Sequence, residues 1–146
     1  MHESVVPLLR LMPTERPIPH KFIAAAGAGF PSPAQDWEDD AINLHTLLRL
    51  DRPASFVFRV SGQSMVEVGI FNDDILVVDR DIDPVNGDIV IAIVDGGFVV
   101  RQLVFRQGKP QLEARNSAMA YSPTVADENV EIWGVVRTAV RNFQRA

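Results

Sequence analysis

Phe56-Val57-Phe58-Arg59-Val60-Ser61-Gly62-Gln63-Ser64-Met65 is the stretch on which the fold turns. Its first half alternates, with Phe56, Phe58 and Val60 on one face, and this predicts a half-buried strand. The strand runs into a small polar turn. Gly62 allows the backbone to bend tightly, and Ser64 is then presented at the start of the next segment. Taken alone, Ser-Gly-x-Ser is better explained as a polar loop whose serine caps a helix. Short motifs of this kind recur by chance, so the flanking chain has to decide between loop and site.

Outward from this stretch, the chain reads as β on its C-terminal side. Asp74-Ile75-Leu76-Val77-Val78-Asp79 is a second strand and Asp88-Ile89-Val90-Ile91-Ala92-Ile93-Val94-Asp95 a third, the latter entered through the turn pair Asn86-Gly87. Gly96-Gly97 predicts a hairpin turn into Phe98–Phe105. Gln107-Gly108-Lys109-Pro110 is the next turn, Gln111–Ala114 a short strand, and Val130–Arg137 the last strand. Short strands at regular spacing with tight turns predict a compact, mostly β domain with highly curved sheets. On the N-terminal side, Asp39–Leu48 predicts one short amphipathic helix, its acidic residues near the start where the helix dipole favours them.

The first thirty-five or so residues differ in kind. They hold Pro7, Pro13, Pro17, Pro19, Pro31 and Pro33, six of the ten prolines. Proline removes backbone donors and disfavours helix at the residue before it, so this arm should be extended and irregular. It still carries Val5, Val6, Leu8, Leu9, Leu11, Ile18, Phe22 and Ile23, which need a groove on the same chain or on a partner subunit. Ala24-Ala25-Ala26-Gly27-Ala28-Gly29 follows. By composition it is a flexible hinge; its small side chains would also let it thread a narrow protease cleft.

At 146 residues, with 47% hydrophobic and 23% charged, the chain has the size of one domain plus an arm and can bury a sizeable core. A net charge of -5 argues against a general nucleic-acid surface and for a protein partner. The absence of cysteine excludes disulfides, a thiolate nucleophile and a Cys-based metal site. His2, His20 and His45 have no ligand spacing and read as surface or arm residues, so no metal or other cofactor is expected. No run approaches a membrane span and no signal peptide is evident, so a soluble, cytoplasmic protein is expected.

A serine needs a base to become a nucleophile. His45, the one histidine of the body, lies on the predicted surface helix, which argues against a Ser-His-Asp triad. A Ser-Lys dyad needs a lysine desolvated inside the β-region. The two lysines, Lys21 in the arm and Lys109 in a turn, do not fit. Arg101 does occupy such a place, between Phe98-Val99-Val100 and Gln102-Leu103-Val104-Phe105. From its neighbours alone it reads as a strand-edge arginine with its head in solvent.

Taken together, Gly29–Ala34, Ser61–Met65, Gly69-Ile70 before Asp74–Asp79, Gly87–Ala92 with Val94-Asp95-Gly96, Asn116-Ser117-Ala118 with Tyr121-Ser122-Pro123, and Trp133–Val136 form a specific ordered set. From about Ala28 to Phe143 the chain resembles the LexA-like self-cleaving serine peptidases, and within them the UmuD-type proteins of bacterial SOS mutagenesis. The resemblance implies Ser64 as nucleophile, a backbone oxyanion hole near Ser64 and Met65, and a scissile bond at Ala28-Gly29, with Ala26-Gly27 as the weaker alternative. It divides the chain into an arm, 1–28, removed by self-cleavage, and a β-rich peptidase domain, 29–146. It also implies a homodimer, self-cleavage stimulated by the RecA filament on single-stranded DNA, and work with a UmuC-like Y-family polymerase subunit in translesion synthesis. No cofactor and no sequence-specific DNA contact are implied.

One departure dominates. The family's general-base lysine stands thirty-seven residues after the serine, and that position here is Arg101. Arginine stays protonated and cannot accept the serine's proton, so self-cleavage should be impaired with the fold kept. Smaller departures are Asn72-Asp73-Asp74, where the family often has a glycine in mid-turn, and the extra Met119-Ala120 before Tyr121. The alternative is a non-enzymatic regulator or binding module acting only as the uncleaved form. A repressor with a helix-turn-helix would need more than this proline-rich arm, and a signal peptidase would need a membrane anchor.

Overall fold

The computed structural model describes residues 4–10, 19–21 and 41–143. Eight strands form one antiparallel sheet: β1 (Val5–Arg10), β4 (Ser55–Val60), β5 (Ile75–Asp79), β6 (Ile89–Val94), β7 (Gly97–Arg106), β8 (Lys109–Glu113), β9 (Thr124–Val125) and β10 (Val130–Val140). Their spatial order is β1-β4-β5-β10-β6-β7-β8-β9. A separate ribbon pairs β2 (Pro19–Lys21) with β3 (Ala41–Asn43). The mostly β, curved-sheet architecture expected from the sequence is the one observed.

The central strands are apolar on both faces, and the curled sheet buries both. In β6, Val90, Ala92 and Val94 enter one core with Val99, Leu103 and Leu112, while Ile91 enters the other with Phe58, Val60, Met65, Leu76 and Val100. A strand buried on both sides reads as a continuous apolar run, which is what Ile89–Val94 is. Phe56, Phe58 and Phe98 surround Trp133 in edge-to-face contacts with ring centroids 4.8 to 5.7 Å apart.

Three local expectations need correction. The helix expected over Asp39–Leu48 is a four-residue helix α1 (Leu44–Leu47) preceded by the strand β3. Asn43 Oδ1 accepts from the amides of His45 and Thr46, which starts the helix at Leu44, and Ala41–Asn43 is held by pairing with β2. So short a helix cannot outweigh that pairing. The β6–β7 hairpin turns at Asp95-Gly96, one residue earlier than expected, with both residues left-handed (φ 51° and 81°). Asp tolerates that conformation, and Val94 and Gly97 are left paired in register. Pro110, expected in a turn, is the second residue of β8.

The first described segment packs on its own chain. β1 pairs antiparallel with β4, Val5 opposite Val60, with a register shift between Pro7 and Leu9. Of the arm expected to be extended and irregular, Val5–Arg10 is extended but forms a regular sheet edge, because pairing with β4 satisfies its backbone on either side of the shift at Pro7. The proposed cleavage bond, Ala28-Gly29, lies outside the described residues, as does the alternative Ala26-Gly27.

Candidate active site

Ser64 is delivered by the turn after β4 and Arg101 by the middle of β7. The turn is fixed at each step. Gly62 takes φ 99°, and its amide donates to Asn72 Oδ1 at 2.8 Å. Asn116 Nδ2 donates to the carbonyl of Gln63 at 2.8 Å, and the amide of Arg115 to that of Ser64 at 2.7 Å. Met65 is buried in the core and begins a single 3-10 turn, Val66–Val68, so Ser64 sits between an anchored strand and an anchored turn. The amides of Ser64 and Met65 donate to no described residue.

Arg101 is 9% exposed and Ser64 5%. Arg101 Nη1 donates to Ser64 Oγ at 3.1 Å, to the carbonyl of Val100 at 2.7 Å and to Ser4 Oγ at 3.5 Å. The edge arginine with a solvated head expected from its neighbours is therefore corrected: the curl of the sheet closes over it. Burial lowers its pKa from the ordinary arginine value, and Tyr121, whose ring centroid lies 5.5 Å from Cζ, opposes the shift. A guanidinium remains charged even so. Ser64 Oγ accepts a hydrogen bond here, the reverse of the arrangement in which a base takes the serine's proton.

Ser4 is a member of the site that no motif announced. Its amide donates to the carbonyl of Phe98 at 2.9 Å, its carbonyl accepts from Ser61 at 2.8 Å, and its Oγ accepts from the amide of Val100 at 2.7 Å. It stitches the start of β1 to both β7 and the Ser61–Met65 turn. Asn116 and Tyr121 belonged to matching stretches but had no assigned role. Asn116 buttresses the turn, and Tyr121 lines the cavity beside Arg101. Asp73, where the family often carries glycine, is left-handed with φ 70°, the conformation a glycine would adopt without strain.

Below the turn, Asp74 anchors the site to Arg141, the residue that follows the last strand. It is 1% exposed and accepts from Arg141 Nε and Nη2, each at 2.8 Å, and from the amide of Phe71 at 2.8 Å. The Arg141 hydrogen bonds hold its carboxyl below the usual aspartate value against the opposing effect of burial. His45 does not line the Ser64 cavity. Among the described residues no group of three or more His, Asp or Glu is placed to hold a metal ion, and no helix is long and apolar enough to cross a membrane.

The chain matches the Peptidase S24-like family over residues 21–137. It is 44% identical to Protein ImpA of Escherichia coli over 110 residues, 75% of this chain and 74% of that one. It is 38% identical to Protein SamA of Salmonella typhimurium over 132 residues, 88% of this chain and 91% of the relative. To Protein MucA of Escherichia coli it is 37% identical over 115 residues, 79% of each. With this fold, this serine site and these relatives, the chain belongs to the peptidase S24-like family, as a UmuD-type member of its LexA-like proteins.

Proposed function

We propose that this chain is a UmuD-like SOS mutagenesis factor, the accessory subunit of an error-prone Y-family translesion polymerase, whose self-cleavage is blocked at Arg101. Ser64 is the nucleophile in this reading, the amide of Met65 is the oxyanion donor, and Ala28-Gly29 is the scissile bond. The working form is a homodimer, and the RecA filament on single-stranded DNA is the stimulus.

The observation that carries the reading is the 3.1 Å contact between Arg101 Nη1 and Ser64 Oγ. A general base has to stand within hydrogen-bond reach of the hydroxyl it deprotonates. A lysine reaching this place would be desolvated and readily neutral; a guanidinium keeps its proton and donates instead. The chain then persists as a precursor with its arm attached.

The test is to incubate the chain and its Arg101→Lys variant at alkaline pH, and separately with RecA filament, and to follow intact mass. Loss of the first 28 residues by the variant alone is expected. Cleavage of neither overturns the peptidase half of the proposal, and equal cleavage of both transfers the base role to another group. The same protonated Arg101 favours a second reading, a non-enzymatic regulator acting only uncleaved, and an Arg101→Lys chain that stays intact would select it.

A further inference from the structure

We propose that the Arg101 cavity binds a peptide ending in a free carboxylate, an inference that rests on reading this cavity as a peptidase cleft. The cavity encloses about 490 Å³, and its lining includes the hydroxyl-bearing residues Ser4, Ser61, Ser64, Tyr121, Ser122 and Thr124. Among the described residues Arg101 is the one cation in that lining, and no acidic side chain belongs to it. The ion pairs among the described residues involve Arg80, Arg106, Arg115 and Arg141 instead. A buried guanidinium with no anion among the described residues is an unbalanced charge, and an anionic ligand restores the balance.

The geometry narrows the class. Every side-chain hydrogen bond from Arg101 to a described residue leaves from Nη1. Nε and Nη2 have none, and neither is sealed away from solvent, since the one dry unpaired side-chain nitrogen among the described residues is Arg49 Nε. These two nitrogens form the side-on fork that takes both oxygens of a planar carboxylate. A single cation suits a monoanion better than a phosphate dianion. The amides of Ser64 and Met65, which donate to no described residue, stand beside Ser64 Oγ, so a chain that stopped at the reacting position would bring its terminal carboxylate to this corner. The sequence Ile23-Ala24-Ala25-Ala26-Gly27-Ala28, small enough for such a cleft, is the natural probe.

The test titrates the intact native chain by calorimetry with N-acetylated Ile-Ala-Ala-Ala-Gly-Ala, once as the free acid and once as the C-terminal amide. The acid should bind at least about tenfold tighter, the margin of a charge-assisted bidentate contact. That preference should vanish in Arg101→Gln and persist in reduced form in Arg101→Lys, a charged control for correct folding. The proposal is overturned if the native chain binds acid and amide alike, or neither, or if inorganic phosphate binds it more tightly than the acid peptide does. No cleavage enters this measurement. Failure here leaves the Arg101→Lys cleavage result standing, and loss of that cleavage alone leaves a carboxylate preference intact.

Discussion

Arg101 Nη1 and Ser64 Oγ lie 3.1 Å apart although β7 and β4 are separated in the sheet by β5, β10 and β6. Only the curl of the sheet brings them together. In the proposed reading the contact places a permanent cation where the dyad base would stand, and it uses a lone pair that Ser64 would need for attack.

The first prediction follows from that polarity. On the proposed dyad the neutral amine is the active form of Arg101→Lys, so the cleavage rate should rise with pH through the lysine's pKa and then level off. Desolvation should move that midpoint below the usual lysine value of about 10.4. Adding Ser64→Ala should abolish cleavage at every pH. Mass spectrometry of timed samples reads both. A rate that does not depend on pH would remove lysine from the base role.

Ser4 gives the second. Its Oγ is the hydrogen-bond acceptor for the buried Val100 amide, and Ser4 is itself 7% exposed. Ser4→Ala leaves that amide without its partner and should cost about 1–3 kcal/mol in urea unfolding. An unchanged midpoint would mean that the start of β1 does not dock against β7 in solution.

The third concerns pH. Arg141 lowers the Asp74 carboxyl below its unfolded value of 3.8. The native state therefore binds that proton less readily than the unfolded state does. The resulting stability is fully present above the unfolded value and is lost as pH falls through the lowered folded value. Asp74→Asn should be less stable than the native chain by about 2 kcal/mol at neutral pH, the loss of charge-assisted bonds to a buried carboxylate. The gap should close as the native Asp74 protonates in acid. Urea midpoints across that range, compared between the two chains, check it.

Gly134 provides a fourth test, of packing alone. A Cβ there would lie 2.7 Å from Val78 Cγ1 and 3.3 Å from the carbonyl of Asp79. Val78 is fully buried and β-branched, so it cannot rotate away freely. Gly134→Ala should destabilise by about 1–3 kcal/mol in thermal or urea unfolding, with binding of the acid peptide retained in the folded fraction.

Much of the sheet was legible along the chain. The alternation of Phe56–Val60, the apolar runs at Ile75–Val78 and Ile89–Val94 and the glycine turns between them are local signals, and β4 to β8 and β10 formed where those signals lay. Expectations failed where a distant partner outweighed local pattern. Ala41–Asn43 joined β2 instead of a helix, and Pro110 was accepted into β8 at a place of its own in the ladder opposite Phe105. The two-residue β9 had no pattern of its own to read.

The sequence by itself determined the family and the chemical fact that position 101 carries a guanidinium, and it supplied Ser64 as the proposed nucleophile, because residue identity and spacing are properties of the chain. Only the tertiary structure decided that Arg101 is buried against Ser64, that Ser4 reaches the same cavity from ninety-seven residues away, and that two guanidinium nitrogens have no partner among the described residues. Burial and hydrogen-bond partners arise when the curled sheet excludes water from between strands that are far apart in order. No local pattern encodes which side chains that closure will bring within reach of one another.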